Sequence, residues 1–200
     1  MTILPLAYLG SVEYFAHLLR EECIIDLHEH FIKRSERNRT QILSANGVMD
    51  LTVQVCRANR PHTPMCDVRI DYSKRWQHQH WVSILSAYKS SPYFDYFFEQ
   101  FEPFYRKEYP FLADYDLELT HTLLRVFGIP CEPRLSEQYV VADEGDVDLR
   151  PKTKKDSTFA AEPYFQVFAD RMPFVPNLSA LDLLFAEGPN SASVLRCCQL

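Results

Sequence analysis

The hydrophobic pattern of this chain changes period several times, and each change predicts an element. Residues 3–9 form an apolar run closed by Gly10, which predicts a buried strand, and Ser11 offers an N-cap for a helix. Val12, Phe15, Ala16 and Leu19 then recur at helical spacing, and residues 23–27 predict a second strand, so the chain opens as a βαβ-like unit. Residues 40–55 predict a hairpin, with Asn46-Gly47 as a type I′ turn between apolar runs and one wet face on the strand bearing Leu51, Val53 and Val55. Residues 65–71 predict a further strand.

Helical periodicity returns at residues 74–90. Trp81, Ile84, Leu85 and Tyr88 form one stripe, and Trp76, His80, Ile84 and Ala87 form a second beside it. Ser91-Pro92 predicts N-cap and N1 of another helix, with Phe94, Phe97, Phe98, Phe101 and Tyr105 facing the core and Pro103 ending it. Residues 111–127 predict a third helix stopped by Gly128 and Pro130, and residues 131–142 an extended segment. Residues 143–158 are charged and poor in apolar side chains, which predicts a mobile loop within the domain. A final helix follows Ser179, with Asp182 placed for a capping-box pair. The expected fold is therefore α/β: one compact domain over residues 1–200, a mixed sheet with a βαβ-like start and a β-hairpin, covered by aromatic-rich helices.

Charge narrows the partners. Lys and Arg total 21 against 27 for Asp and Glu, a balance of −6, which argues against general binding to nucleic acid or to an anionic membrane. No apolar run approaches the ~20 residues of a membrane span, and the start lacks a positive n-region, so a cytoplasmic protein is expected. The six cysteines show no C-x-x-C pair and no zinc-like spacing, and His28-Glu29-His30 has no third ligand near it in sequence, so no metal site is expected. With only 5 glycines and 14% aromatic residues, aromatic walls are the expected binding device in place of a glycine-rich phosphate loop.

Within this acidic chain, residues 33–96 concentrate cations, imidazole and indole. Lys33, Arg34, Arg37 and Arg39 flank Asn38; paired guanidinium forks suit phosphate or carboxylate, and Asn38 would orient it. A solvated basic face explains the same residues. His80, at the margin of an apolar face beside Trp76 and Trp81, is the candidate general acid or base, against the plainer reading of a satisfied semi-buried histidine. Tyr93 and Tyr96 lie off the aromatic stripe, where they would reach a ligand. The N-terminus of the first helix is a further place for an anionic group, a single glycine making a plain tight turn the stronger reading.

Several motifs together resemble the WbqC-like proteins: Arg37-Asn38-Arg39 before the hairpin, Trp76-x-x-x-His80-Trp81 with Ala87-Tyr88 and Pro92-Tyr93-Phe94, Pro173-Phe-x-Pro-Asn177-Leu-Ser179-x-Leu-Asp182-Leu-Leu-Phe, and Glu187-Gly188-Pro189. The resemblance implies a place in O-antigen or capsule biosynthesis, as a transferase of a glycine-like aminoacyl or an acyl group onto a sugar. The alternative it leaves open is a non-catalytic protein that binds a sugar nucleotide or a partner of the same pathway. On it, Lys33, Arg37, Asn38, Arg39, Trp76, Trp81, Tyr88, Tyr93, Asn177, Asp182 and Glu187 are the expected substrate contacts and His80 the expected catalytic residue, with a nucleotide- or lipid-linked sugar as small-molecule substrate and no cofactor assigned. The chain departs from longer members in starting with Ile3-Leu4-Pro5 and in lacking a glycine-rich segment before Pro173, which implies a different donor or none.

Overall fold

In the computed structural model, which describes residues 1–56, 62–151 and 158–200, β1 (Thr2–Pro5) and β2 (Cys23–Asp26) run parallel, Thr2 opposite Cys23 and Pro5 opposite Asp26. Parallel neighbours need a crossover, and α1 (Val12–Arg20) supplies it, so the βαβ opening is present. β1 is shorter than the apolar run that predicted it. After Pro5 the chain leaves the sheet, and Leu6 to Leu9 are buried in a turn instead.

β5 (Arg134–Leu135) joins the far side of β2, and β6 (Val147–Asp148) joins β1, both parallel, giving the order β5-β2-β1-β6. The chain steps outward from β1 through β2 to β5 and then returns to the other flank of β1, so the order reverses between β1 and β6. β6 arises inside the stretch expected to be a mobile loop. Part of it is tied to the sheet: Leu149 N–H donates to the Ile3 carbonyl at 2.9 Å, and Arg150 is buried. Backbone pairing, one ion-pair network and Leu149 against the core hold a segment that is poor in apolar side chains. The remainder of that stretch, residues 152–157, lies outside the described residues.

β3 (Arg39–Ser44) and β4 (Gly47–Thr52) form a separate antiparallel pair, so the sheet proper is all parallel and the hairpin supplies the antiparallel component. The turn is not type I′. Ser44 pairs with Gly47 across Ala45-Asn46, and only Gly47 has a positive φ, +102°, the role of a G1-bulge glycine. Residues 65–71 also depart from the expected strand. Met65–Asp67 is a 3-10 turn whose Met65 and Cys66 N–H groups donate to the Glu29 and Leu27 carbonyls, and Ile70 and Arg69 make single bridges to Val55 and Phe111.

The helices that cover the sheet are α2 (Trp76–Tyr88), α3 (Phe94–Phe101), α4 (Leu112–Val126), α5 (Ala180–Glu187) and α6 (Ser191–Cys197). Of the two stripes on α2, the one holding Trp76, His80, Ile84 and Ala87 turns inward, while Trp81 and Leu85 are half-buried. Ser91 is not an N-cap, since α3 starts at Phe94 after a tight turn and the Ser91 hydroxyl makes no hydrogen bond among the described residues. Trp76, Tyr8, Tyr88, Tyr115, Phe15, Phe101 and Phe185 are the largest fully buried side chains. Truncating one such ring to alanine costs about 3–5 kcal/mol, so this aromatic layer dominates the stability of the domain.

Candidate functional site

A cavity of about 400 Å³ opens at the carboxyl ends of β1 and β6. Pro5 ends β1 on one side, Leu149 and Arg150 follow β6 on another, and Gly10 and Ser11 lead into α1. This is the point where the strand order reverses, and open α/β sheets leave a crevice there because the connections diverge to opposite faces. Residues 32–37 and β3 close one wall, and Asn177 and Ser179, just ahead of α5, close another.

Backbone strain gathers at the same place. Leu9, Arg34 and Asn177 are the non-glycine residues with positive φ among the described residues, at +45°, +60° and +56°. Arg34 and Asn177 line the cavity, and Leu9 lies between the lining residues Tyr8 and Gly10. Each such conformation costs on the order of 1–2 kcal/mol and persists only where surrounding contacts enforce it. Those contacts are visible: the Leu9 carbonyl accepts from Thr40 Oγ1 (2.9 Å) and Ser179 Oγ (3.1 Å), and Arg34 N–H donates to Asn38 Oδ1 (3.0 Å).

The helix ends do not supply an anion site, the lesser reading of the Gly10 turn ahead of α1. Val12 N–H donates to the Leu178 carbonyl, Glu13 N–H to Asn177 Oδ1 and Tyr14 N–H to Ser11 Oγ. At α5, Ala180 and Leu181 N–H groups donate to the Gly10 carbonyl and Ser179 Oγ. These amides are committed to the protein and are not available to a ligand.

The buried charges around the cavity, Arg37 with Glu29 and Arg150 with Asp26, are already paired. Arg37 forks onto both Glu29 oxygens and also reaches Ser35 Oγ and the Arg150 carbonyl. Burial raises the Glu29 pKa and the Arg37 guanidinium opposes it. Arg150 bridges Asp26 and Asp148, donates to the Val140 carbonyl, and lies over the Tyr139 ring. Arg39 holds Asp50 Oδ2 at 2.9 Å and Thr52 Oγ1 at 3.2 Å. Lys33 and Arg34, exposed at the rim, have no ion-pair partner among the described residues.

Of the residues expected from sequence, Lys33, Arg37, Arg39 and Asn177 line this cavity. Arg37 is a wall brace and not a free contact. Asn38 is buried behind the wall, its amide donating to the Val53 carbonyl while Oδ1 holds Arg34. Trp76 and Tyr88 are each only 1% exposed and sit in the core, so their expected ligand contact is corrected to packing. Trp81 stacks on Tyr105, with ring centroids 5.4 Å apart. Asp182 is buried and accepts from Tyr164 and Gln166 at 2.8 and 2.9 Å, a knot that also takes in Tyr88. It does not close a capping box, because the Ser179 N–H donates to the Gln41 carbonyl. Tyr93 packs against Gly188, where an added Cβ would come within 2.5 Å of the ring, and Glu187 accepts from Asn190.

His80 does not line the cavity either. It is 5% exposed, with Nδ1 2.9 Å from the Tyr8 hydroxyl, and burial lowers its pKa to about 4, the nearby Thr52 backbone opposing the shift. The imidazole is therefore neutral at physiological pH and sits behind the wall.

Arg150, Tyr8 and Glu29 are wall and brace residues that local pattern does not reveal. Arg150 lies in a charged run with no periodicity, and its partner Asp26 is a strand terminus far upstream. No curated protein and no solved structure matches this chain. A family model does match, over residues 7–158, a span that holds most of the cavity wall, from Tyr8 to Arg150. On that match, over more than half of its length, the chain belongs to the WbqC-like protein family.

Proposed function

We propose that this protein binds a phosphate-bearing sugar, nucleotide- or lipid-linked, in the cavity between β1 and β6, and transfers an acyl or glycine-like aminoacyl group onto it in surface-polysaccharide biosynthesis. The observation that carries this reading is the charge of the cavity rim. Lys33 and Arg34 stand unpaired among the described residues beside Arg39, over a floor whose buried charges are paired, in a chain whose net charge is −6. A cationic rim on an acidic protein attracts a small anion without attracting nucleic acid. Arg39 and Arg34 would grip phosphate oxygens as forks and Lys33 as a point charge.

Glu36 is the carboxylate on the cavity wall and replaces His80 as the group to accept the proton of the attacking sugar amine or hydroxyl. The amine forms the new bond to the acyl carbon, the donor's leaving group departs with the old bonding pair, and the proton passes to Glu36. The wild-type protein, tested by calorimetry with inorganic pyrophosphate, uridine diphosphate and uridine-diphosphate sugars, is expected to bind at least one. The Lys33→Ala, Arg34→Ala double variant should weaken that binding tenfold or more, as the loss of charge-assisted contacts predicts. Glu36→Gln should keep binding and lose turnover. No binding to any of these probes, or binding indifferent to the double substitution, overturns the reading.

A second reading is a binding protein without chemistry. It is favoured by the placement of His80, Trp76 and Trp81, all outside the cavity. Tight binding with no product from acyl- or aminoacyl-thioester and aminoacyl-adenylate donors would select it.

A further inference from the structure

We infer that His28, His30, His62 and Cys66 together bind a zinc(II) ion at the surface of the segment that follows β2. Three imidazoles and one thiolate are the nitrogen and sulfur donors that a tetrahedral zinc takes. The sequence offers no third ligand beside His28-Glu29-His30. The fold supplies two, from a segment more than thirty residues downstream. The inference stands apart from what the cavity binds.

Main-chain bonds bring the two segments together. Met65 and Cys66 N–H groups donate to the Glu29 and Leu27 carbonyls and Phe31 N–H to the Thr63 carbonyl, each at 2.9 Å, while His30 and Pro64 form an antiparallel bridge. The frame beneath the four side chains is therefore fixed. On that frame Cys66 Sγ lies 3.9 Å from His28 Nδ1, and the His30 and His62 rings stand with centroids 4.7 Å apart. Zinc bonds of ~2.3 Å to sulfur and ~2.0 Å to nitrogen, at a tetrahedral angle, place a thiolate and an imidazole nitrogen about 3.5 Å apart and two ligating ring centroids about 5 Å apart. Both pairs already stand near those separations.

Among the described residues, no three donors are gathered closely enough to hold an ion as they stand. The remaining step is side-chain rotation: His30 and His62 are exposed and His28 and Cys66 half-buried, so each can turn its donor towards the ion. Glu29, between the two histidines in sequence, is buried and takes the fork of Arg37, a residue of the cavity wall. Metal held on either side of it would stiffen the segment that carries this brace.

Cobalt(II) tests the site, because its bond to thiolate gives a charge-transfer band in the near ultraviolet and its tetrahedral complexes absorb in the visible. Titrated into the reduced, metal-free protein, it is expected to bind as a single equivalent, to raise both absorptions and to be displaced by zinc(II). Cys66→Ser should remove the charge-transfer band, whereas Cys56→Ser and Cys197→Ser, at exposed thiols outside the set, should leave it in place. The His30→Ala, His62→Ala double variant changes two exposed side chains and should keep the fold while weakening zinc binding tenfold or more. No charge-transfer band in the natural protein, a band that survives in Cys66→Ser, or unchanged zinc affinity in the double histidine variant overturns the inference.

Discussion

Arg150 and Asp26 stand 124 positions apart in sequence and form a buried ion pair beneath the candidate cavity. Asp26 ends β2 and is completely buried, and Arg150 follows β6, so the pair joins the carboxyl edges of strands that flank β1. Asp26 also accepts from Ser136 Oγ and from the backbone N–H groups of His28 and Val140. One carboxylate thus gathers three stretches of chain at the site: its own strand end, residues 136–140 and Arg150.

Removing one member of such a pair leaves a buried charge without its partner. Arg150→Ala is expected to destabilise the domain by about 3–5 kcal/mol. Urea unfolding of the variant checks it, and a loss below about 1 kcal/mol would mean that the pair is not closed in solution. Asp148→Asn, at a half-buried position on the same guanidinium, should cost less.

Asp116 offers the opposite case. It is wholly buried on α4, neither carboxylate oxygen has a hydrogen-bond partner among the described residues, and burial raises its pKa well above the ordinary value. A folded-state value above the unfolded one means that the folded protein holds the proton longer, so stability from this group is greatest in acid and declines as pH rises past the unfolded value near 4. Asp116→Asn should therefore raise the melting temperature at pH 7 by a few degrees, with the gain vanishing near pH 3.5. Calorimetry at the two pH values decides, and a lower melting temperature at pH 7 would contradict it.

His80 titrates in the other direction. Burial holds its folded value at about 4, below the ~6.5 of the unfolded chain, so between those limits the unfolded state binds the proton first and stability declines as pH falls. The full effect is roughly 3 kcal/mol. Replacing the imidazole, as in His80→Asn, should flatten unfolding free energy against pH across this window; an unchanged slope would place the titration elsewhere.

Asn177 couples strain to capping. Its Oδ1 accepts from Glu13 N–H at 3.0 Å and its Nδ2 donates to Glu13 Oε2 at 2.8 Å, while its own φ is +56°. Asn177→Gly keeps the backbone free to adopt that φ and loses the two bonds, at a cost of about 1 kcal/mol. Asn177→Ala loses the bonds and strains the backbone, and should cost about 2–3 kcal/mol. Denaturant midpoints of the pair measure the difference, which is the backbone contribution at the cavity wall.

Much of the secondary structure is legible in the sequence because its causes are local. Val12, Phe15, Ala16 and Leu19 announce α1, the aromatic stripe announces α3, and Gly128 with φ +66° ends α4 where expected. The departures share one origin. Residues 65–71 and the apolar run after Pro5 have strand-like composition, yet their backbone partners are single carbonyls of other segments, which no local pattern encodes. Gly47 reads as a turn residue from its neighbours, and its place in the turn depends on the register of β3 against β4.

The site divides the same way. From sequence alone came the cationic segment of Lys33, Arg34, Arg37 and Arg39, His80 as a candidate, and the apolar runs and helical spacing that build a βαβ unit. Tertiary structure decided which cations are spent on Glu29, Asp26 and Asp50 and which have no ion-pair partner among the described residues, and it put His80, Trp76 and Tyr88 behind the wall. Helical spacing specifies that two residues share a face; whether that face meets a ligand or a neighbouring ring depends on contacts between segments more than a hundred residues apart, such as Arg150 with Asp26, whose energy belongs to the assembled fold.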